Sequence, residues 1–206
     1  MTLSEHMAKD MKNMSIIEIN EVFDSLYKSS FHLFKLLENL LQWSRVNRNV
    51  IDFNPYHYPL RDFANEAIAL SDFKSSEKGI NLRNRIPQDM DVYVDKKMSN
   101  TIFRNLVSNA LKFSEKGGLV EISARELDDE WVEVSIKDEG VGIPLERIPA
   151  LFREDVFSST LGTRGEQGTG LGLLLCKEFV KRHGGRITIE SGEGQGTTVI
   201  FTLPKS

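Results

Sequence analysis

Apolar residues recur at a seven-residue spacing in the first quarter of the chain. Leu26, Leu33 and Leu40 lie seven positions apart, and Leu37 falls four positions after Leu33. This alternation of three and four is typical of the seam of a coiled coil or a helical bundle. We predict one long helix over residues 15–46, because no glycine or proline interrupts that range. Its stripe needs a partner helix, unless the helix packs only on its own globular domain.

The predicted helix has a start signal and is followed by a boundary signal. Ser15 and Glu18 match a capping box, in which each side chain satisfies a free amide of the first turn. Residues 47–60 contain two prolines and are the predicted boundary. We therefore divide the chain into a helical segment over residues 1–48 and a globular domain over residues 51–206.

The globular domain mixes strand and helix patterns. Helical periodicity is found over residues 60–78, 96–113 and 171–183. Alternating or β-branched runs predict strands over residues 80–86, 92–94, 120–127, 131–137, 186–190 and 197–203. Because strands and helices do not alternate strictly, we predict an α+β fold: a two-layer α/β sandwich whose mixed sheet is covered on one face by helices.

Composition and charge narrow the class of protein. With 40% apolar and 27% charged residues, the chain has the composition of a soluble globular protein. The net charge of −4 gives no reason to expect binding to nucleic acid or direct contact with an anionic membrane. No apolar run approaches the length of a membrane span, and no signal peptide opens the chain. The single cysteine, Cys176, lies in an apolar run and is expected in the core, so a reducing, cytoplasmic location is expected.

One predicted helix carries amide and ammonium side chains on a single face. Asn105, Asn109 and Lys112 are separated by four and then three positions, which places them on the same side of a helix. Amide oxygens can ligate Mg²⁺, and a lysine supplies a positive charge for phosphate. Taken alone, such a pattern is also common on exposed helices.

An acidic residue followed by a glycine turn ends one predicted strand. Asp138 is followed by Gly140 and Gly142, which let the backbone turn tightly and approach a flat ring. A carboxylate in this position could accept a hydrogen bond from the exocyclic amine of a base. A plain turn is the alternative.

Two more glycine-rich segments follow. Residues 165–172 contain Gly168, Gly170 and Gly172 directly before an apolar helix, where free amides and the helix dipole favour phosphate. A flexible linker is the alternative, but a linker would not adjoin an apolar helix. In the last segment, Thr197 begins the final strand and could reach the acid that would recognise the base.

The order and spacing of these four segments resemble the Bergerat-type ATPases, a superfamily of gyrase, heat-shock chaperone, mismatch-repair and histidine kinase ATPases. The resemblance covers about residues 51–206. It identifies the Asn105–Phe113 segment as the asparagine box, and the segments at Asp138 and Gly168 as two glycine boxes. Leu151-Phe152 with Phe157 resembles a variant phenylalanine box.

The resemblance implies roles for individual residues. Asp138 would bind the adenine amine, Asn109 would ligate Mg²⁺, Lys112 would contact phosphate, and Phe113 would flank the base. Residues 153–167 would form a lid over ATP. The remaining implied nucleotide-binding residues are Gly140, Gly142, Thr163, Arg164, Gly168, Gly170, Leu171, Gly172 and Thr197.

The branch of the superfamily is also implied by resemblance. Where gyrase-like members have a glutamate that activates water, this chain has Asn105, which cannot abstract a proton, so ATP would be kept for transfer. Residues 36–45 are similar to the second helix of the dimerisation-and-phosphotransfer hairpin of sensor histidine kinases. The implied partners are ATP, a histidine-bearing hairpin, a response regulator receiver domain, and a second copy of the chain through the long helix.

A phosphoacceptor histidine is missing from the expected pattern. None of His6, His32, His57 and His183 fits the family's histidine box, and none is followed directly by its acidic residue. We therefore expect a piece of a longer kinase, whose parent could be anchored in the inner membrane, and no autophosphorylation by this chain alone. The alternatives are a kinase-like ATP binder that acts in trans, an anti-sigma-type serine kinase, and a degenerate nucleotide-gated binding module.

Overall fold

The structure begins with one long helix. The computed structural model describes residues 15–47, 52–153, 161–166, 168 and 170–206. Helix α1 (Ile16–Asn47) confirms the helix predicted at the start of the chain. The predicted capping box closes its first turn: Ser15 N donates to Glu18 Oε2 at 2.7 Å, and Glu18 N donates to Ser15 Oγ at 3.3 Å.

The remaining elements form the globular domain. Its α-helices are α2 (Leu60–Lys78), α3 (Lys96–Phe113) and α4 (Gly172–Arg182). Within the described residues, its strands are β1 (Pro55–Pro59), β2 (Asn81–Asn84), β3 (Asp91–Asp95), β4 (Leu119–Glu126), β5 (Trp131–Asp138), β6 (Ile187–Ser191) and β7 (Thr197–Pro204). A 3-10 helix spans Leu145–Phe152.

The strands form a mixed sheet, as predicted. Its order is β2-β4-β5-β7-β6, in which β2 runs parallel to β4 and every other neighbouring pair is antiparallel. Strands β1 and β3 pair separately as an antiparallel two-stranded sheet.

The core lies between one face of the sheet and the helices. Phe103 of α3 stacks on Phe63 of α2 with ring centroids 5.9 Å apart, and meets Phe201 of β7 edge to face at 5.5 Å. Polar side chains occupy the opposite face, where the Ser123 and Ser135 hydroxyls are 2.8 Å apart. This arrangement confirms the predicted fold class. The largest fully buried side chains are Phe103, Phe201, Leu60, Ile86, Ile102, Leu106, Ile122, Ile136, Leu175 and Leu203.

Two elements differ from the sequence-based prediction. The segment over residues 47–60, interpreted as a boundary, contains strand β1, which pairs with β3 along its whole length. The edge position explains how a strand can begin and end with proline, since an edge strand leaves one row of amides unpaired. The glycine-rich stretch after Asp138 contains the 3-10 helix Leu145–Phe152, which we did not predict.

The apolar seam of α1 is exposed. Leu26, Leu33 and Leu40 keep 46%, 65% and 46% of their surface accessible. The residues that the structure describes therefore leave this part of the stripe uncovered. None of the helices described is both long enough and apolar enough to cross a membrane.

A buried histidine joins the end of α4 to the start of α3. His183 Nε2 accepts from Asp95 N at 2.9 Å, while Nδ1 lies 2.7 Å from the Phe179 carbonyl oxygen and therefore carries the proton. The Asp95 side chain caps α3 by accepting from Lys97 N and Met98 N. Burial lowers the pKa of His183, against the bond to Phe179 and the nearby Asp95 charge, which raise it.

The single cysteine is a core residue, as predicted. Cys176 is fully buried on α4, with its sulfur 3.9 Å from the Ile102 carbonyl oxygen. Burial raises the pKa of its thiol to about 12. At neutral pH the side chain is therefore a neutral thiol and acts as a small apolar group.

Candidate nucleotide-binding site

Most of the candidate residues line one cleft. The cleft has a volume of about 1360 Å³ and lies between α3, the end of β5, the glycine-rich segment before α4, and one side of α1. The candidate residues that line it are Asn105, Asn109, Lys112, Phe113, Asp138, Gly142, Arg164, Gly168, Gly170, Gly172 and Thr197.

Three of the candidate residues lie behind the residues that line the cleft. Gly140 lies against the Phe113 carbonyl and forms a bridge with Ser114, so a side chain there would collide with the end of α3. Thr163 donates its hydroxyl to the Ser114 carbonyl oxygen at 2.9 Å. Leu171 is buried at the start of α4. These residues support the walls of the cleft and do not face its interior.

Asp138 is a buried carboxylate at the end of β5. It is only 5% exposed, and its Oδ1 accepts from Gly140 N at 2.9 Å and from Thr197 N at 3.2 Å. Burial raises the pKa of this carboxyl to about 6, against the two backbone hydrogen bonds, which lower it. Both bonds end on Oδ1, so Oδ2 is the oxygen that can accept from an exocyclic amine. A buried acid held in this way is a candidate for recognising a polar group of a ligand.

Ser191, which the sequence analysis missed, fixes the turn beside this acid. Its hydroxyl donates to the Gly196 carbonyl oxygen at 2.7 Å, accepts from Ile143 N at 2.9 Å, and lies 2.9 Å from Thr197 Oγ1. Thr197 therefore contacts Asp138 through its backbone amide, while its hydroxyl faces Ser191. No local motif marks Ser191, because these contacts depend on the pairing of β6 with β7.

Gly142 occupies a position that requires glycine. Its φ is +70°, and a Cβ there would collide with the Gly192 carbonyl. Gly194 N donates to the Val141 carbonyl oxygen at 2.8 Å across the same contact. The close approach of the two turns, and the left-handed backbone, explain the second glycine after Asp138.

The polar face of α3 forms the opposite wall. Asn105, Asn109 and Lys112 share this face, as their spacing predicted. Within the described part of the chain, the buried Asn105 Nδ2 has no hydrogen-bond partner. The Lys112 ammonium lies 4.6 Å from the centre of the Phe113 ring. Burial lowers the pKa of Lys112, while the nearby Glu166 charge opposes that change.

The donor set suits Mg²⁺ that is bound together with a phosphate. Among the described residues there is no cluster of three His, Cys, Asp or Glu side chains that could hold an ion alone. Asn105 and Asn109 line the cleft, and each side chain carries an amide oxygen. Mg²⁺ typically takes only one or two protein ligands and completes its shell with phosphate oxygens and water. The residues present therefore fit the ion in a site that a nucleotide completes.

The start of α4 lies at the cleft, which Gly172 lines. Its N-cap, Leu171, makes no side-chain capping bond, and α4 begins at Gly172. Gly168 and Gly170 line the cleft beside this helix end. Unsatisfied first-turn amides and the positive end of the helix dipole favour an anion such as phosphate.

Only part of the predicted lid lies among the described residues. Phe157, of the proposed phenylalanine box, lies outside them, as do residues 154–160 as a whole. Arg164 lines the cleft, and its guanidinium donates to the Glu77 carbonyl oxygen at 3.0 Å. Lys78, which the sequence analysis did not select, binds this part of the predicted lid through Thr163 and Glu166.

Comparison with known proteins agrees with this geometry. Residues 95–206 match the family model described as histidine kinase-, DNA gyrase B- and HSP90-like ATPase. The sensor histidine kinase WalK of Bacillus subtilis is 35% identical over 84% of this chain. The adaptive-response sensory kinase SasA of Prochlorococcus marinus subsp. pastoris is 32% identical over 96% of it. The chain spans only 28% of the length of WalK and 53% of that of SasA.

Solved structures show the same fold. A catalytic domain of the histidine kinase ThkA is 27% identical, with a TM-score of 0.64 over 75% of this chain and 99% of that domain. The histidine kinase ThkA in complex with the response regulator TrrA gives a TM-score of 0.76 over 98% of this chain and 56% of that one. At 21% identity, the second likeness concerns the fold alone.

Proposed function

Because this chain belongs to the family of histidine kinase-, DNA gyrase B- and HSP90-like ATPases, we propose that it is the ATP-binding catalytic part of a two-component sensor histidine kinase. In this role it transfers the γ-phosphoryl group of ATP to a histidine of a dimerisation hairpin, for relay to an aspartate of a response regulator. Relatives that are named sensor kinases support this branch of the family over an anti-sigma-type serine kinase.

The observation that carries the proposal is the buried acid opposite the polar face of α3. Asp138 offers Oδ2 at one side of the cleft, while Asn109 and Lys112 line it from α3. A carboxylate suits the amine of adenine, and an amide with an ammonium suits phosphate with its cation. One cleft thus has complementary groups for both parts of ATP, with Phe113 available to flank the base.

The phosphate end supports transfer of the γ-phosphoryl group more than its hydrolysis. Asn109, with Asn105 beside it, would hold Mg²⁺, which neutralises phosphate charge when it is bound. Lys112 adds a positive charge, and the amides at the start of α4 orient the phosphate chain. Asn105 is an amide and cannot abstract a proton from water. The nucleotide would therefore be kept until an acceptor arrives.

The long helix supports a dimeric arrangement. We propose residues 1–48 as part of a dimerisation segment and residues 51–206 as the catalytic domain. The exposed seam of α1 supports pairing with a second copy and with a histidine-bearing helix. A receiver domain is the proposed final partner, by analogy with the complex of ThkA and TrrA. The proposed location is the cytoplasm, where ATP is available, whether or not a longer parent is anchored in the inner membrane.

The test is phosphoryl transfer in trans. The chain is incubated with γ-labelled radioactive ATP, Mg²⁺ and a separate hairpin that carries an acceptor histidine. We expect acid-labile, base-stable label on the hairpin and none on this chain alone. Asp138→Ala, which removes the adenine acceptor, should abolish the label. Acid-stable label would identify a serine kinase instead, and ATP binding without any transfer would identify a binding module.

A second measurement tests the proposed cation ligand. Mg²⁺ should raise the affinity of the wild-type chain for ATP, and Asn109→Ala should remove most of this gain while leaving adenosine binding unchanged. Titration calorimetry with and without Mg²⁺ measures both effects. An Asn109→Ala variant that keeps the full Mg²⁺ effect would exclude this residue as the ligand.

A further inference from the structure

A buried lysine at the end of α2 lies outside the four recognised motifs. Lys78 is only 6% exposed, and a lysine is rarely so buried unless its charge is paired. Its Nζ donates to the Leu111 and Lys112 carbonyl oxygens at 2.9 and 3.0 Å and to Thr163 Oγ1 at 2.9 Å. It also pairs with Glu166 Oε1 at 2.5 Å. The ammonium is therefore held by α3 on one side and by the lid on the other.

The contact with α3 is a helix cap supplied by another helix. Leu111 and Lys112 lie in the last turn of α3, where carbonyl groups have no partner within the helix. The negative end of the helix dipole also lies there and favours a cation. Lys78 thus stabilises the end of the helix that carries the phosphate-facing residues.

The contact with the lid fixes residues 162–166 on the same helix end. Thr163 N donates to the Lys112 carbonyl oxygen at 3.1 Å, and Gly162 N donates to the Glu166 carbonyl oxygen at 2.9 Å. Glu166 Oε2 accepts in turn from Arg164 N at 2.8 Å. The Glu166 carboxylate is therefore held between Lys78 and the backbone of its own turn.

Glu166 also lies beside the Lys112 side chain. A Cβ at Gly162 would meet both Glu166 Oε2 and Lys112 Cγ, which shows how closely the two side chains pass. Partial burial raises the pKa of Glu166, but its bonds to Lys78 and to backbone amides outweigh that effect, and the net change is downward. The carboxylate is ionised at neutral pH, and its charge acts on Lys112.

We propose that Lys78 is a positioning residue for phosphate binding, which acts by holding Glu166 beside Lys112. The ion pair fixes the lid turn and the carboxylate, and the carboxylate orients the Lys112 ammonium before a nucleotide arrives. The inference rests on the proposed function only in that Lys112 faces phosphate. A cap that merely stabilised α3 would not distinguish the phosphate part of a ligand from its base.

The experiment separates these two parts of the ligand. Affinities for ATP with Mg²⁺ and for adenosine are measured on Lys78→Met and Glu166→Gln, by calorimetry and by ligand-observed NMR respectively. We expect each variant to bind ATP on the order of tenfold more weakly, with adenosine affinity changed less than twofold. The double variant should be no weaker than Lys78→Met, because the two residues act through one contact. Lys116→Met is the matched control and should bind both ligands as the wild type does, since it removes an exposed lysine just after α3.

Thermal unfolding of each variant accompanies the binding data. Glu166→Gln leaves the three bonds from Lys78 to uncharged oxygens in place, so it tests the proposal even if Lys78→Met does not fold. Equal weakening of ATP and adenosine, or no change in a folded variant, would overturn the positioning role. Failure of the proposed function is a different result, in which the wild-type chain binds no ATP.

Discussion

Replacing Asp138 by asparagine separates the cost of burying a charge from its use in binding. The amide has the same shape as the carboxylate, and its oxygen can keep the bonds that Gly140 N and Thr197 N donate to Oδ1. Its nitrogen then takes the place of Oδ2 and presents a donor to the cleft. A donor cannot accept from the amine of adenine, but it matches the 6-oxo group of inosine triphosphate.

The surroundings of Asp138 determine the size of the effect on stability and of the effect on ATP binding. Burial raises the pKa of Asp138 from 3.8 to about 6. This pKa shift means that folding with Asp138 ionised lowers the free energy of unfolding by roughly 3 kcal/mol. Because the folded pKa is the higher one, the cost is fully present above about pH 6 and disappears as the pH falls toward 3.8. Losing one hydrogen bond to a charged group should weaken ATP binding by about 1.5–3 kcal/mol, or roughly 10- to 100-fold.

Two assays measure the two effects on the same variant. In urea unfolding at pH 7.5, Asp138→Asn should be more stable than the wild type, by up to roughly 3 kcal/mol, and the gain should shrink at pH 4.5. In calorimetry it should lose ATP affinity and shift its preference toward inosine triphosphate. Asp138→Ala is the control, because it should also lose ATP affinity but should gain no preference for inosine triphosphate. An asparagine variant with wild-type ATP affinity and no stability gain at pH 7.5 would refute the reasoning.

Three further predictions concern other parts of the fold. The folded-state pKa of His183 is lowered, so this residue supports stability above about pH 6.5 and that support fades as the pH falls. The difference in stability between wild type and His183→Gln, measured by thermal unfolding from pH 7.5 to 5, should fall as the pH falls. A difference that stays constant with pH would contradict the prediction. Gly142→Ala should cost at least about 1 kcal/mol in urea unfolding and weaken nucleotide binding, because the alanine would be strained at positive φ and would collide with the Gly192 carbonyl. Leu33→Asp with Leu40→Asp should reduce self-association in sedimentation, and identical behaviour of variant and wild type at high concentration would argue against pairing through the seam.

Local signals explain what the sequence predicted well. Helix α3 has the predicted bounds, Lys96–Phe113, because Asp95 is a strong N-cap and the apolar period is clear across the whole helix. Asn105, Asn109 and Lys112 then share a face by helical geometry alone. Asp138 could be located at a strand end for the same reason, since strand period and turn glycines are both local.

Contacts between distant segments explain what the sequence did not reveal. Lys78 is 85 positions from Thr163, and no pattern around either residue indicates the other. Strand β1 begins and ends with proline, and only its pairing with β3 makes it a strand. Thr197 was predicted near Asp138, but its hydroxyl is taken by Ser191, and the pairing register of β5 and β7 brings its backbone amide to the acid.

The buried cysteine has a practical consequence for spectroscopy. Cys176 is the only thiol of the chain, and its high pKa and full burial make it slow to react with maleimide dyes. A second cysteine placed by Leu161→Cys, at an exposed position of the proposed lid, would accept a single fluorophore without removal of the native thiol. The native thiol therefore need not be removed before the proposed lid is followed by fluorescence as nucleotide is added.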